Sequence, residues 1–259
     1  MDRVVGDVPV TGQNNDFSDF AIARYDSNGS LDPGFGAGGR LATDIGDGTN
    51  TARNVVVQSN AMIVVSGEPI GTFTGSDHTD VARYDARGVP DPAFGAGGLL
   101  TLSGARVGEG LAVQRDGKLV LVGEVEVATP PATRTQFAVR RLNADGSPDT
   151  NFGTAGIVST PFTDRGDSAR AVTLQDDGRI LVAGASSTQT NPEFALARYN
   201  TDGSLDTAFA GNGGGRLTVD FFGFTDIAES VAVMTDGRIV LGGLARDNVD
   251  GYGVARILQ

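Results

Sequence analysis

The amino-acid sequence predicts an all-β fold of the β-propeller class, and three observations carry that prediction. A short signature recurs along the chain. Ala23–Tyr25 returns as Ala82–Tyr84, Arg140–Leu142, Ala197–Tyr199 and Ala255–Ile257, at steps of 59, 58, 57 and 58 residues. A period this long, with turn residues at fixed offsets inside it, marks one supersecondary unit copied along the chain. Inside each unit, short apolar runs alternate with turn signals, and no segment has helical spacing. The composition agrees. The 259 residues include 26 Asp against 6 Glu, and 38 Gly. Asp and Gly favour turns and caps, whereas Glu favours helix interiors.

Residues 169–220 show the unit in order. Strand a, Ala169–Gln175, alternates apolar and polar residues, as a half-buried strand does. Asp177-Gly178 follows and reads as a two-residue hairpin turn with both central residues at positive φ, leading into strand b at Arg179–Gly184. The same turn signal recurs as Asp116-Gly117 and Asp236-Gly237, and decays to Ser59-Asn60 in one copy. After a variable loop comes strand c, Phe194–Tyr199. A Gly-rich connection, Asn200–Gly215, then leads to strand d, Arg216–Asp220.

Along the whole chain the order is b-c-d, then a-b-c-d three times, then a-b-c, which makes 18 strands. Four-stranded antiparallel units at this spacing predict propeller blades, whereas β-helices need much shorter coils. The simplest arrangement is a single domain over residues 1–259 with five blades, the two terminal ones three-stranded. The alternative has four blades, with Gly38–Asp44 closing the last as its outer strand; a third arrangement is part of a longer array. The strands at Val4-Val5 and Gly253–Ile257 then have open edges, which predicts pairing with a second copy as a homodimer.

Charge and residue usage exclude several classes. The net charge is −12, with no basic stripe, so nucleic acid and anionic membrane surfaces are poor partners. There is no Cys, hence no disulfide and no thiolate metal site. No apolar run approaches the roughly 18 residues that read as a membrane-spanning helix. Met1-Asp2-Arg3 runs straight into Val4-Val5, without a secretory leader pattern.

Two blocks carry a family resemblance. Phe194–Asp206 with Phe209, and Ala171–Gly184, resemble the delta-60 repeat family, and the likeness extends over essentially the whole chain. That resemblance implies bacterial β-propeller repeats of secreted or surface-associated proteins, and so an extracellular or cell-envelope location. It implies no activity and no catalytic residues, since fold alone does not give function.

Candidate sites follow from the predicted blade. The b–c loops differ most in length and content: Asp7–Asp19, Glu68–Asp80, Glu124–Gln136, Ala185–Glu193 and Ala245–Gly251. Function favours variable loops on a rigid frame, so the face carrying the b–c and d–a loops is the expected working face. Strand a lines the channel and carries Arg53, Glu109, Arg170 and Glu229, alternating in sign. These residues are either neighbouring ion pairs, or general bases with arginines that hold an anion or oxyanion. Asp44, Asp167, Asp220 and Asp226 in the d–a loops suit either a divalent cation such as calcium or loop capping.

The c–d turns, Asp26–Asp32, Asp85–Asp91, Asn143–Asp149 and Asn200–Asp206, have calcium-loop composition, but their Gly falls too early for an EF-hand. Asx-turn chemistry accounts for them without an ion. The Gly34–Gly39 segment lies in a c–d connection and not before a helix, so it is no phosphate loop. His78, the one histidine, sits between Asp77 and Asp80 and is a further catalytic candidate, although no Gly-x-Ser-x-Gly elbow accompanies it. Two functions fit this set. One is a binding or scaffold module for a protein, glycan or small-molecule ligand. The other is a metal-assisted hydrolase of an ester, lactone or phosphotriester at the channel mouth.

Overall fold

The computed structural model describes residues 2–9, 18–45, 50–69, 78–129, 132–188, 191–211, 214–247 and 249–258. Among the described residues, eighteen strands form five antiparallel sheets, in the order the repeat predicts. The first sheet is β1 (Asp2–Pro9), β2 (Ser18–Tyr25) and β3 (Arg40–Thr43). The second is β4 (Asn50–Val57), β5 (Ile63–Pro69), β6 (His78–Tyr84) and β7 (Leu99–Ser103). The third is β8 (Arg106–Val113), β9 (Leu119–Thr129), β10 (Ala132–Leu142) and β11 (Ile157–Thr160). The fourth is β12 (Asp167–Leu174), β13 (Ile180–Ser187), β14 (Pro192–Tyr199) and β15 (Arg216–Val219). The fifth is β16 (Asp226–Val233), β17 (Ile239–Asp247) and β18 (Val249–Ile257). Every sheet is a meander of sequence neighbours, as in a propeller blade. Among the described residues no helix is long and apolar enough to cross a membrane.

The chain divides into two compact units, Met1–Leu119 with Asn143–Ser147, and Val120–Leu142 with Pro148–Gln259. In the second unit, strand β13 shows why the middle strands read as continuous apolar runs. Ile180 and Val182 enter one buried cluster with Phe137, Val139 and Tyr199, while Leu181 and Ala183 enter another with Leu196, Ile239 and Leu241. A strand covered on both faces has no solvent side to mark with polar residues. The first unit repeats the scheme around Phe20, Ile63, Val65 and Tyr84.

Two backbone details depart from the sequence expectation. The a–b turns are not two-residue turns with two residues at positive φ. Only the final residue is left-handed, at Gly117, Gly178 and Gly237, with Ala61 in the odd copy. The preceding Asp is right-handed and caps the turn instead, its Oδ1 accepting from the N–H of Lys118, Arg179 or Arg238. This is the three-residue form, in which a type I turn is followed by a left-handed bulge residue. The second departure is a β-bulge in strand a. The register shifts at Ala52/Asn54, Ala169/Ala171 and Ala228/Ser230. The bulge throws a carbonyl over the facing residue of strand b. A Cβ on Gly67, Gly184 or Gly243 would lie 1.9, 2.1 or 1.9 Å from the oxygen of Thr51, Ser168 or Ile227. Glycine there is a packing requirement.

Successive repeats are joined by one side-chain device used three times in full. The arginine of the signature is buried and pairs with the Asp eight residues on: Arg24–Asp32 at 2.7 Å, Arg83–Asp91 at 2.6 Å, Arg141–Asp149 at 2.7 Å. Its guanidinium lies 4.5–4.8 Å over the ring of Phe35, Phe94 or Phe152. Nη1 donates to a carbonyl of the next c–d turn, at Ala86, Ala144 or Thr201. One residue along that turn, the carbonyls of Arg87, Asp145 and Asp202 accept from the N–H of Gly36, Gly95 and Gly153. The turn glycines Gly88, Gly146 and Gly203 lie flat on the same phenylalanine rings, where a Cβ would come within 2.9–3.0 Å. In the fourth repeat Arg198 pairs with Asp206 and covers Phe209 in the same way. A tyrosine–threonine bond reinforces two of the joints, Tyr84 to Thr43 at 2.7 Å and Tyr199 to Thr160 at 2.8 Å.

The energetics give two tests. Removing one partner of a buried pair strands the other charge, which costs about 3–5 kcal/mol. Arg141→Met should therefore lose about that much stability by equilibrium denaturation, and adding Asp149→Leu to it should recover part of the loss. Gly184→Ala should cost about 3 kcal/mol through overpacking. Gly237→Ala, with nothing within 4 Å of its Cβ, should cost only the roughly 1–2 kcal/mol of a left-handed alanine.

Candidate functional site

Strand a carries three of its four predicted charges at the bulges. Arg53, Arg170 and Glu229 are the residues skipped by the ladder, so the bulge sets where they are aimed. Arg53 and Glu109 are brought together, Nε to Oε1 at 3.7 Å. The arginine is exposed there, and such a pair contributes at most about 1 kcal/mol. Arg170 is half-buried and Glu229 is exposed.

Beside the Arg53–Glu109 pair sits a carboxylate that the sequence reading missed. Glu68, at the end of β5, is buried, and its Oε1 accepts the N–H of Gly108 at 2.9 Å. Burial pushes its carboxyl up, the Gly108 bond pulls it down, and Glu109 adds a further push upward. The signal lay in the strand: Ile63–Ser66 and Gly67 are apolar or small, and Glu68 ends them within the same strand.

The d–a carboxylates divide by role. Asp167 Oδ2 accepts the N–H of Phe162 at 2.9 Å, and Asp226 Oδ2 accepts that of Phe221 at 2.8 Å. Both are buried loop caps. Burial, the largest influence, raises the Asp167 carboxyl against the pull of its hydrogen bonds. Asp220 is exposed and accepts from Gly223 N–H at 2.6 Å. Asp44 is exposed, and its charge helps burial hold the Asp19 carboxyl up. Among the described residues no three His, Asp or Glu side chains gather into a group able to hold a metal ion.

The c–d turns are Asx turns. Asp145 and Asp202 each accept both the N–H and the hydroxyl of the Ser two residues on, and the closing aspartates serve the arginine joints.

His78 opens β6 and stands 3.5 Å from Asp80, Nε2 to Oδ2. Asp80 is 1% exposed, and its Oδ1 accepts the hydroxyl of Thr101 at 2.7 Å. Burial pushes its carboxyl above the ordinary Asp value, against the pull of Thr101 and His78. The sequence had placed Asp80 only as a flank of His78. Aligning the repeats on their signature shows more: the positions matching Asp80 are Ala21, Ala138, Ala195 and Gly253.

Large parts of the b–c loops, at 10–17, 70–77, 130–131, 189–190 and 248, lie outside the described residues. What is described shows one extension. In the third sheet strands b and c, β9 and β10, are 11 residues each, against 8 in the fourth.

Comparison with known proteins agrees with this architecture. Residues 10–35, 114–152 and 175–209 match the family model described as Domain of unknown function (DUF5122) beta-propeller. No curated protein sequence matches. Among solved structures, the chain is similar to hydrazine synthase of Kuenenia stuttgartiensis, with 12% identity and a TM-score of 0.51 over 99% of this chain and 36% of that one. It is also similar to a gluconolactonase from Xanthomonas campestris, with 14% identity and a TM-score of 0.43 over 86% of this chain and 62% of that one. The chain thus spans less than two thirds of either protein, and at these identities the likeness concerns the fold alone.

The buried Asp80 generates a pH test. Its folded pKa is raised, so between its ordinary value near 3.8 and the folded value the native state binds the extra proton. Stability then falls as pH rises through that window. Asp80→Ala, the residue of three other repeats, should gain about 1–3 kcal/mol at pH 7. The gain should shrink toward zero below the ordinary aspartate range, as read by denaturation midpoints across pH.

Proposed function

We propose that this chain is a binding module of the cell exterior or envelope, a propeller frame that holds its ligand contacts on the b–c side, foremost on the β9–β10 arm. The carrying observation is the unequal length of strands b and c. The third repeat extends both to 11 residues, and the extension, 124–136, is half-buried to exposed wherever its side chains are described. The frame forms without that length in the fourth sheet, where strands b and c are 8 residues each. The arm offers Glu124, Glu126 and Arg134 among threonines, a mixed polar surface suited to a protein or a glycan.

The repeated charges support the same reading. Arg24, Arg83 and Arg141, with their aspartates, are spent on joining repeats, Arg198 on Asp206 and Phe209, and the c–d carboxylates on turns. A metal-assisted hydrolase has less support, because Asp167 and Asp226 give their carboxylates to loop backbone.

Replacing residues 126–134 with an Asn-Gly turn tests the proposal. Binding to bacterial cells or to a glycan array should fall at least about tenfold, roughly 1.4 kcal/mol. The denaturation midpoint should stay unchanged. Full binding by the shortened arm would refute it.

A further inference from the structure

Two neighbouring departures of the second repeat from the others converge on His78. Where four repeats carry Phe20, Phe137, Phe194 or Tyr252, this one has Thr79; where they carry Ala or Gly, it has Asp80. Thr79 Oγ1 accepts the N–H of Val107 at 2.7 Å, which gives that hydroxyl a structural use. Asp80 has no such explanation. A carboxylate that is 1% exposed sits where the frame elsewhere holds a methyl group or none, and its Oδ2 takes no hydrogen bond of good geometry. That oxygen points toward His78 Nε2, 3.5 Å away, and the imidazole itself is partly open to solvent.

The ladder adds a third member. In the β6–β7 register His78 faces Ser103 and Asp80 faces Thr101. Directly paired residues point to the same face, with Cβ atoms about 4.5–5.5 Å apart. Residues two apart on one strand also share a face. Ser103, His78 and Asp80 therefore follow one another along a single face, an exposed hydroxyl first and a buried carboxylate last. Gly104 follows, and a Cβ there would meet nothing within 4 Å, so the approach to Ser103 is open on that side.

We propose that Ser103, His78 and Asp80 form a nucleophilic site for acyl transfer from small activated carboxylic esters to water. With Nε2 turned to Asp80, Nδ1 is the nitrogen left for the serine. The Ser103 hydroxyl gives its proton to His78 as its oxygen bonds to the acyl carbon. The bond from that carbon to the alcohol oxygen breaks, and the leaving oxygen takes the proton from His78. Water then repeats the sequence on the acyl-serine, releasing the acid and restoring the hydroxyl. Ser103 and His78 are the catalytic residues, and Asp80 is a positioning residue that orients the imidazole and balances its charge. The site uses no residue of the β9–β10 arm, so its failure leaves the binding proposal standing.

A fluorophosphonate probe followed by intact-mass and peptide analysis tests the site without a known substrate. The wild-type chain should take up one adduct, located at Ser103, and Ser103→Ala should take up none. His78→Ala should slow labelling by at least about a hundredfold, and added imidazole should restore part of the rate. Asp80→Ala should lower the maximal labelling rate while leaving the half-saturating probe concentration unchanged, a split that general loosening of the fold would not produce. No adduct on the wild-type chain, an adduct elsewhere, or a rate indifferent to His78→Ala would each overturn the proposal.

Discussion

The joint between repeats rests on a buried guanidinium. A single blade cannot bury its own apolar faces, so a repeat protein stands or falls on how one unit is fixed to the next. Here the fixing is polar and directional. Arg83 meets Asp91 through two nitrogens, rests on Phe94, and reaches Ala144 with the third. Arginine suits this role because its planar fork satisfies a carboxylate and a carbonyl at once while its face covers an aromatic ring. Each element then constrains the next. The Asp must also cap its own turn, as Asp91 Oδ1 does for Ala93 N–H, and the following turn must present a glycine flat to the ring. The turn Asn143–Ser147 groups with the first compact unit because Arg83, Phe94 and Gly95 grip it.

The same economy governs strand a. A bulge there skips one residue, and strand b must answer with a glycine because a carbonyl occupies the space of its Cβ. The skipped position carries a charge in the three sheets where the register is described, Arg53, Arg170 and Glu229. Bulges re-aim side chains, so charge and distortion belong to one feature. Glu109, the fourth charge of the series, meets Arg53 across neighbouring repeats.

A repeat protein also contains its own controls. When four copies agree and one departs, the fold cannot be the reason for the departure. Asp80 is the clearest case, since Ala21, Ala138, Ala195 and Gly253 show what the frame accepts at that point. The β9–β10 arm also outreaches the 8-residue strands b and c of the fourth sheet. Residues that follow the repeat, including Asp167 and Asp226, turn out to be capping groups. Stability is concentrated in what repeats, and the functional proposals rest on what does not.

By itself the sequence determined the strand order, the four-stranded unit and the positions of the turns, because period, apolar runs and turn residues are local signals. It also placed Arg53 and Glu109 as neighbours, since a fixed repeat makes equivalent positions adjacent. It could not show the bulge, because one extra residue in a strand changes no composition, nor the three-residue form of the a–b turns, which depends on how flanking strands twist. The arginine joint lay in plain view as a constant spacing of 8 residues to Asp. Only the tertiary structure decided its meaning, because its partners Ala86, Ala144 and Thr201 lie about 60 residues away. The same holds for Ser103 and His78, 25 residues apart in the chain and opposite each other only through strand pairing. Pairing is a property of the folded ladder, and no local pattern encodes it.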